Sequence, residues 1–262
     1  MISNTVSRDT LFRHFYQFLD NPPVFKPLRI KQEVYLKIDG TYFKKWGCAL
    51  VYKAGKEIIF NSFTVRENYA SYLMDLIKIK ELGYEIKGIT SDGATSLDSA
   101  LKTLFYDKQN PIPHQRCLVH LQRQSQTLLT RNPETQAGIE LLEIVKQINN
   151  VHNYYEKNIW IKWFKRIEER NRVIWDQRTY QNKEGRITWW YTHKNLRRVY
   201  RTIKNSLPNL FLYLDYQNLP KDTNGLEGEF SHLKRKLSLH RGLKRQRKIN
   251  FVRWYFYLKK LP

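Results

Sequence analysis

Three carboxylates in this chain stand where a side chain is held firmly and stays reachable. Asp39 closes the run Val34-Tyr35-Leu36-Lys37-Ile38, whose alternating apolar residues read as a strand with one packed face. Asp92 follows Glu85-Ile86-Lys87-Gly88-Ile89-Thr90-Ser91, a short, β-branched run, and precedes Gly93 and a helix. Glu227 lies on a helix that starts at Asn224-Gly225-Leu226 and packs through Leu226, Phe230, Leu233 and Leu237, with Ser231 and Lys234 on its more polar side. Carboxylate oxygens are hard donors that suit Mg²⁺. Two of these acids also have a plainer reading: Asp39 caps Gly40-Thr41, and Asn224 with Glu227 forms a capping box. Cys117 and His120 sit one helical turn apart, too few ligands for a closed zinc site, and their plainer reading is local packing with a capping hydrogen bond.

The elements that must position these residues follow from periodicity. After the Asp39 strand, Gly47 to Tyr52 and Glu57 to Thr64 complete an antiparallel meander, with Ala54-Gly55-Lys56 as its turn. Asn68 caps a helix with Tyr69, Tyr72, Leu73, Leu76 and Ile77 on one face, ending before Gly83. The helix after Asp92 buries Leu97, Ala100, Leu101, Leu104 and Phe105, so the second acid lies at a strand's carboxyl end, where α/β proteins build their sites. Ile112 to Cys117 predicts a fifth strand, kept short or at an edge by Pro113. Beyond Leu118 the pattern becomes helical, with stripes at Ile139, Leu142, Val145 and Ile148, at Trp160, Trp163, Phe164 and Ile167, and at Leu196, Val199, Tyr200, Ile203 and Leu207. Near the start, Leu11, Phe15, Phe18 and Leu19 mark a helix followed by Pro22-Pro23 and Pro27, a stiff link that sets it apart from the core.

Lys and Arg number 46 against 24 Asp and Glu, a formal net charge of +22, and such an excess favours a polyanion through counterion release. Nucleic acid fits better than a membrane surface, because there is no long apolar run and the basic residues are widely spread. Cys48 and Cys117 make no disulfide framework, and an intracellular, reducing location is expected. In the helical stretch Lys162, Lys165, Arg166, Arg170, Arg172, Lys194, Arg197, Arg198 and Arg201 mix with Trp175, Trp189, Trp190 and Tyr191, a composition that suits backbone binding with aromatic platforms. The plainer alternative is a solvated bundle with its tryptophans in the core.

In their order the motifs resemble the DDE transposases of bacterial insertion sequences, in particular the Mutator-like and IS256-like group. The segments that carry the likeness are Lys37-Ile38-Asp39-Gly40-Thr41, Ser91-Asp92-Gly93, Cys117-Leu118-Val119-His120 and Asn224 to Glu227, with a long helical interval between Asp92 and Glu227. The resemblance implies an α/β, ribonuclease H-like fold: a mixed five-stranded sheet with flanking helices and an all-helical insertion. Residues 1–32 would be the remnant of a recognition domain, 33–120 the first part of the core, 121–218 the insertion, and 219–262 the rest of the core with basic terminal helices. Most of the family's amino-terminal recognition domain is missing from this pattern.

The resemblance further implies catalytic and metal-binding roles for Asp39, Asp92 and Glu227, with Cys117, His120, Asn224 and Lys234 beside them. Two Mg²⁺ or Mn²⁺ ions, about 3.5–4 Å apart in such sites, would support phosphodiester hydrolysis and strand transfer. The implied partners are double-stranded DNA, as terminal inverted repeats and target, bound by a homodimer in a bacterial cytoplasm at the nucleoid. Arg241, Lys244, Arg245 and Lys248 are expected to contact phosphates, with Phe251, Val252, Trp254, Tyr255 and Leu258 docking the last helix. Two other functions compete: a non-catalytic or domesticated DNA-binding protein, and a ribonuclease H-like nuclease that cuts without joining.

Overall fold

The computed structural model describes residues 7–105 and 111–259; the outermost residues of the expected amino- and carboxy-terminal segments fall outside these. The chain divides into two compact units, Met1–Pro113 with Thr223–Pro262, and His114–Asp222.

The first unit is built on β1 (Gln32–Tyr42), β2 (Cys48–Ala54), β3 (Glu57–Thr64) and β4 (Tyr84–Ser91). With β5 (His114–Arg116) they form a five-stranded sheet of order β3-β2-β1-β4-β5. β2 pairs antiparallel with β1 and β3, and β4 runs parallel to β1, which is the mixed, ribonuclease H-like sheet expected. The β1–β2 turn requires its glycine. Gly47 has φ +146°, and a Cβ there would lie 2.3 Å from Phe63 Cε1 and 2.6 Å from the Thr64 carbonyl oxygen.

Strand alternation divides the core into two layers. Val34, Leu36, Ile38, Leu50 and Tyr52 pack with Tyr72, Leu76 and Ile79 of α2 (Tyr69–Glu81) and with Leu97, Ala100 and Leu101 of α3 (Thr95–Leu104). On the opposite face Phe43, Ala49, Val51 and Ile58 pack with Leu226, Phe230, Leu233 and Leu237 of α8 (Leu226–Ser238) and with Val252 and Phe256 of α9 (Arg245–Leu258). The amino-terminal helix α1 (Arg8–Asp20) is tied to α9: Arg247 forks onto Asp20 at 2.7 and 2.9 Å, Asn250 Nδ2 donates to the Leu19 carbonyl at 2.7 Å, and Trp254 Nε1 donates to the Phe18 carbonyl at 2.7 Å.

The second unit contains α4 (Leu118–Leu129), α5 (Gln136–Gln147), α6 (Tyr154–Arg170) and α7 (Lys194–Ser206) around its own core of Leu141, Val145, Trp160, Phe164, Trp175 and Ile203. Trp175 and Tyr200 stack at 4.4 Å, so Trp175 is a core residue and not the surface platform its neighbours suggest. The insertion is not all-helical. β6 (Arg178–Lys183) and β7 (Arg186–Tyr191) form an antiparallel hairpin, a separate two-stranded sheet that does not extend the first. Its strands escape a periodicity search because nearly every residue on both is exposed, so no apolar face alternates with a polar one. The available signal was the two-residue turn: Glu184 and Gly185 take φ +51° and +82°, and Asn182 Oδ1 accepts the Gly185 N–H at 3.1 Å.

Candidate nucleic-acid interface

Asp39 does not end its strand. β1 runs on to Tyr42, paired with β2 alone, and Asp39 stands opposite Val51, so it shares the sheet face covered by α8. The β1–β4 register ends with Lys37 opposite Thr90; two residues further on come Asp39, still within β1, and Asp92, one residue past the end of β4. Glu227 lies in the first turn of α8, on that same side of the sheet, where an acid interacts favourably with the helix dipole. The capping box is displaced: the cap is Gly225 in the left-handed region at φ +91°, with no side-chain capping bond, which makes Glu227 the second helical residue instead of the third.

Both aspartates are used as turn acceptors. Asp39 Oδ1 accepts the Gly40 N–H at 2.9 Å and Asp92 Oδ1 accepts the Ala94 N–H at 3.1 Å, so each carboxylate commits an oxygen to its own backbone. Among the described residues no group of three or more His, Cys, Asp or Glu side chains could hold a metal ion. This corrects the expectation of two Mg²⁺ or Mn²⁺ ions and, with it, of metal-dependent DDE-type hydrolysis and strand transfer. An octahedral magnesium site needs several oxygens converging on one point, and the described residues offer no such group of side chains.

Glu67 is the acid the sequence reading missed. Cys48 Sγ donates to its Oε1 at 3.4 Å and the Tyr72 hydroxyl donates to its Oε2 at 2.9 Å. Burial, reinforced by Glu67, raises the Cys48 thiol and the Tyr72 phenol well above their usual ranges, so both stay protonated as donors. Gly40 leaves room for this arrangement, since a Cβ there would lie 2.2 Å from Glu67 Oε1. Nothing local in the sequence marks Glu67, which only precedes the helix cap Asn68.

Cys117 and His120 belong to the second unit. Cys117 is buried at the cap position of α4 and makes no side-chain capping bond; His120 is half-buried in the first turn. Asn224 is exposed before α8, and the exposed Lys234 places its ammonium 5.7 Å from the centre of the Phe43 ring.

The cationic side chains lie where solvent reaches them. Lys234, Arg235, Lys236, Arg241, Lys244 and Arg245 are exposed and Lys248 is half-buried. Arg241 Nε bonds the Ser238 carbonyl at 3.3 Å and Arg245 the Trp46 carbonyl at 3.0 Å, contacts that orient each guanidinium without neutralising it. Within this run Arg247 is ion-paired to Asp20. In the second unit Lys162, Lys165, Arg166, Lys194, Arg198 and Arg201 are exposed on α6 and α7. No described helix is long and apolar enough to cross a membrane.

No curated protein matches the chain. The profile of the family described as "Transposase IS66 family" matches residues 92–246. The match supports a DDE-transposase assignment at the superfamily level and not the Mutator-like, IS256-like group that the motifs resemble. It takes in Asp92 and Glu227, the whole second unit and the first part of the basic run. With more than half of its length matched, the chain belongs to the IS66 transposase family.

Proposed function

We propose that this member of the family is a non-catalytic, or domesticated, DNA-binding protein that grips duplex DNA by its phosphates. The observation that carries the reading is the run from Lys234 to Lys248, joining α8 to α9: no Asp or Glu follows Glu229 anywhere in the sequence, and most of the run's cations are exposed. Such a surface displaces condensed counterions whatever the base sequence, which gives affinity and position without readout. The ends of an insertion sequence, held by a homodimer at the nucleoid, are the setting that family membership suggests.

The test is binding of a random duplex across salt concentrations, by fluorescence anisotropy, with the parent chain and with Arg241, Lys244, Arg245 and Lys248 all changed to Ala. Each lost phosphate contact is expected to reduce the slope of log affinity against log salt by about 0.9. An unchanged slope would move DNA contact off the α8–α9 run. Nicking of supercoiled DNA that requires Mg²⁺ and disappears in Asp39→Asn would overturn the non-catalytic reading.

A further inference from the structure

The β6–β7 hairpin carries an aromatic ladder that the duplex grip does not use. On one face of the ribbon Arg178 is paired with Tyr191, Tyr180 with Trp189, and Asn182 with Ile187. The Arg178 guanidinium lies 4.1 Å from the centre of the Trp189 ring, and Tyr191 meets Trp189 edge-on at 5.5 Å. Arg197 of α7 in turn stacks on Tyr191 at 3.7 Å while it forks onto Asp176 at 3.1 and 2.9 Å. Trp189 is thus held by Arg178 and Tyr191, yet remains 48 % exposed, and Tyr180 beside it is 63 % exposed. A tryptophan with this support loses little side-chain freedom when something stacks on its open surface.

We propose that this face of the hairpin binds single-stranded DNA, with an unpaired base stacking on Trp189 and its neighbour on Tyr180. Charge decides among occupants. Arg178, Lys183 and Arg186 lie on the hairpin itself, Lys194, Arg198 and Arg201 are exposed on α7, and the hairpin's one acid, Glu184, is in the turn. An apolar protein surface laid over the ladder would strip water from Arg178 and return no anion, a net cost. A nucleotide strand supplies a π-face for each ring and a phosphate for each cation. Bases stacked inside an intact duplex cannot reach the rings, so the ligand is a strand with unpaired bases. The proposal extends the DNA-binding reading to a second site in the other unit.

The experiment compares an oligothymidylate and a random duplex on the full chain. Trp189→Ala is expected to weaken oligothymidylate binding roughly 5- to 150-fold, the range for one lost base–aromatic stack, while the duplex salt slope is unchanged. Trp189→Phe should retain most of the affinity. Trp190→Ala, on the opposite face of the ribbon and paired with Thr179, should leave both ligands bound as before. Equal oligothymidylate affinity for parent and Trp189→Ala overturns the proposal, and so does a loss shared equally by Trp190→Ala, which would report damage to the ribbon. A change in sedimentation with Trp189→Ala at unchanged DNA affinity would give the ladder to a second copy of the chain and likewise overturn it. Failure of the duplex grip reads differently: the parent would not bind duplex, yet the Trp189-dependent binding of single strands would persist.

Discussion

Asp75, on α2, is an acid kept from water, 8 % exposed, with both Tyr52 and Ser62 donating hydroxyl hydrogen bonds to its Oδ2. Burial outweighs these two donors and pushes its pKa from 3.8 up to about 6. A carboxyl raised on folding stabilises the protein fully below the unfolded pKa and loses that contribution as pH rises through the folded one. Stability should therefore fall between about pH 4 and pH 6 by roughly 3 kcal/mol from this group. Asp75→Asn keeps an oxygen for both hydroxyls and sheds the buried charge. Urea unfolding at pH 4.5 and 7.5 should show the variant more stable than the parent at 7.5 and with less dependence on pH. Gly40 supports a second prediction. A methyl at this position collides with Glu67 Oε1, and the carboxylate is held in place by Cys48 on Oε1 and by Tyr72 on Oε2, so Gly40→Ala should cost about 1–3 kcal/mol. Glu67→Ala in the same chain should recover part of that loss in a double-mutant cycle, and additive losses would show that the two sites are independent.

At the level of elements, legibility followed how much of each segment's order was local. Val34, Leu36 and Ile38 alternate because β1 packs on one layer, so the strand and its acid were readable; its extension to Tyr42 was not, because pairing with β2 maintains it. Asp92 was readable for the same reason, since β4 and α3 are both patterned. Glu67 became visible only when three-dimensional neighbours appeared, and the backbone N–H groups that Asp39 and Asp92 accept are a matter of hydrogen-bond direction that residue types do not encode. α6 illustrates what patterning leaves out. Trp160 was readable as part of a buried stripe, but its indole N–H also satisfies the Ile144 carbonyl of α5 at 3.0 Å. Trp160→Phe keeps most of the apolar volume and orphans that carbonyl, for an expected loss of about 1–3 kcal/mol. Hydrogen exchange should show α5 and α6 amides losing protection; unchanged exchange there would mean water replaces the indole.

Across the whole molecule, the first unit is written in two pieces of sequence and the second in one. The pieces of the first unit are bound to each other by residues very far apart in the chain: Asp20 and Arg247 are separated by 227 positions, and the Leu19 carbonyl reaches Asn250 across 231. Both α8 and α9, which cover one face of β1–β3, are also made late. For a chain emerging from a ribosome this sets an order of events. The second unit can close as soon as residue 222 has cleared the exit tunnel, while Ala49, Val51, Ile58 and the apolar side of α1 still have nothing to pack on. At ~5–20 residues per second, translating residues 114–222 holds that face open for on the order of 5–20 s. During that interval the half-made sheet exposes the kind of apolar surface that makes folding intermediates prone to aggregate.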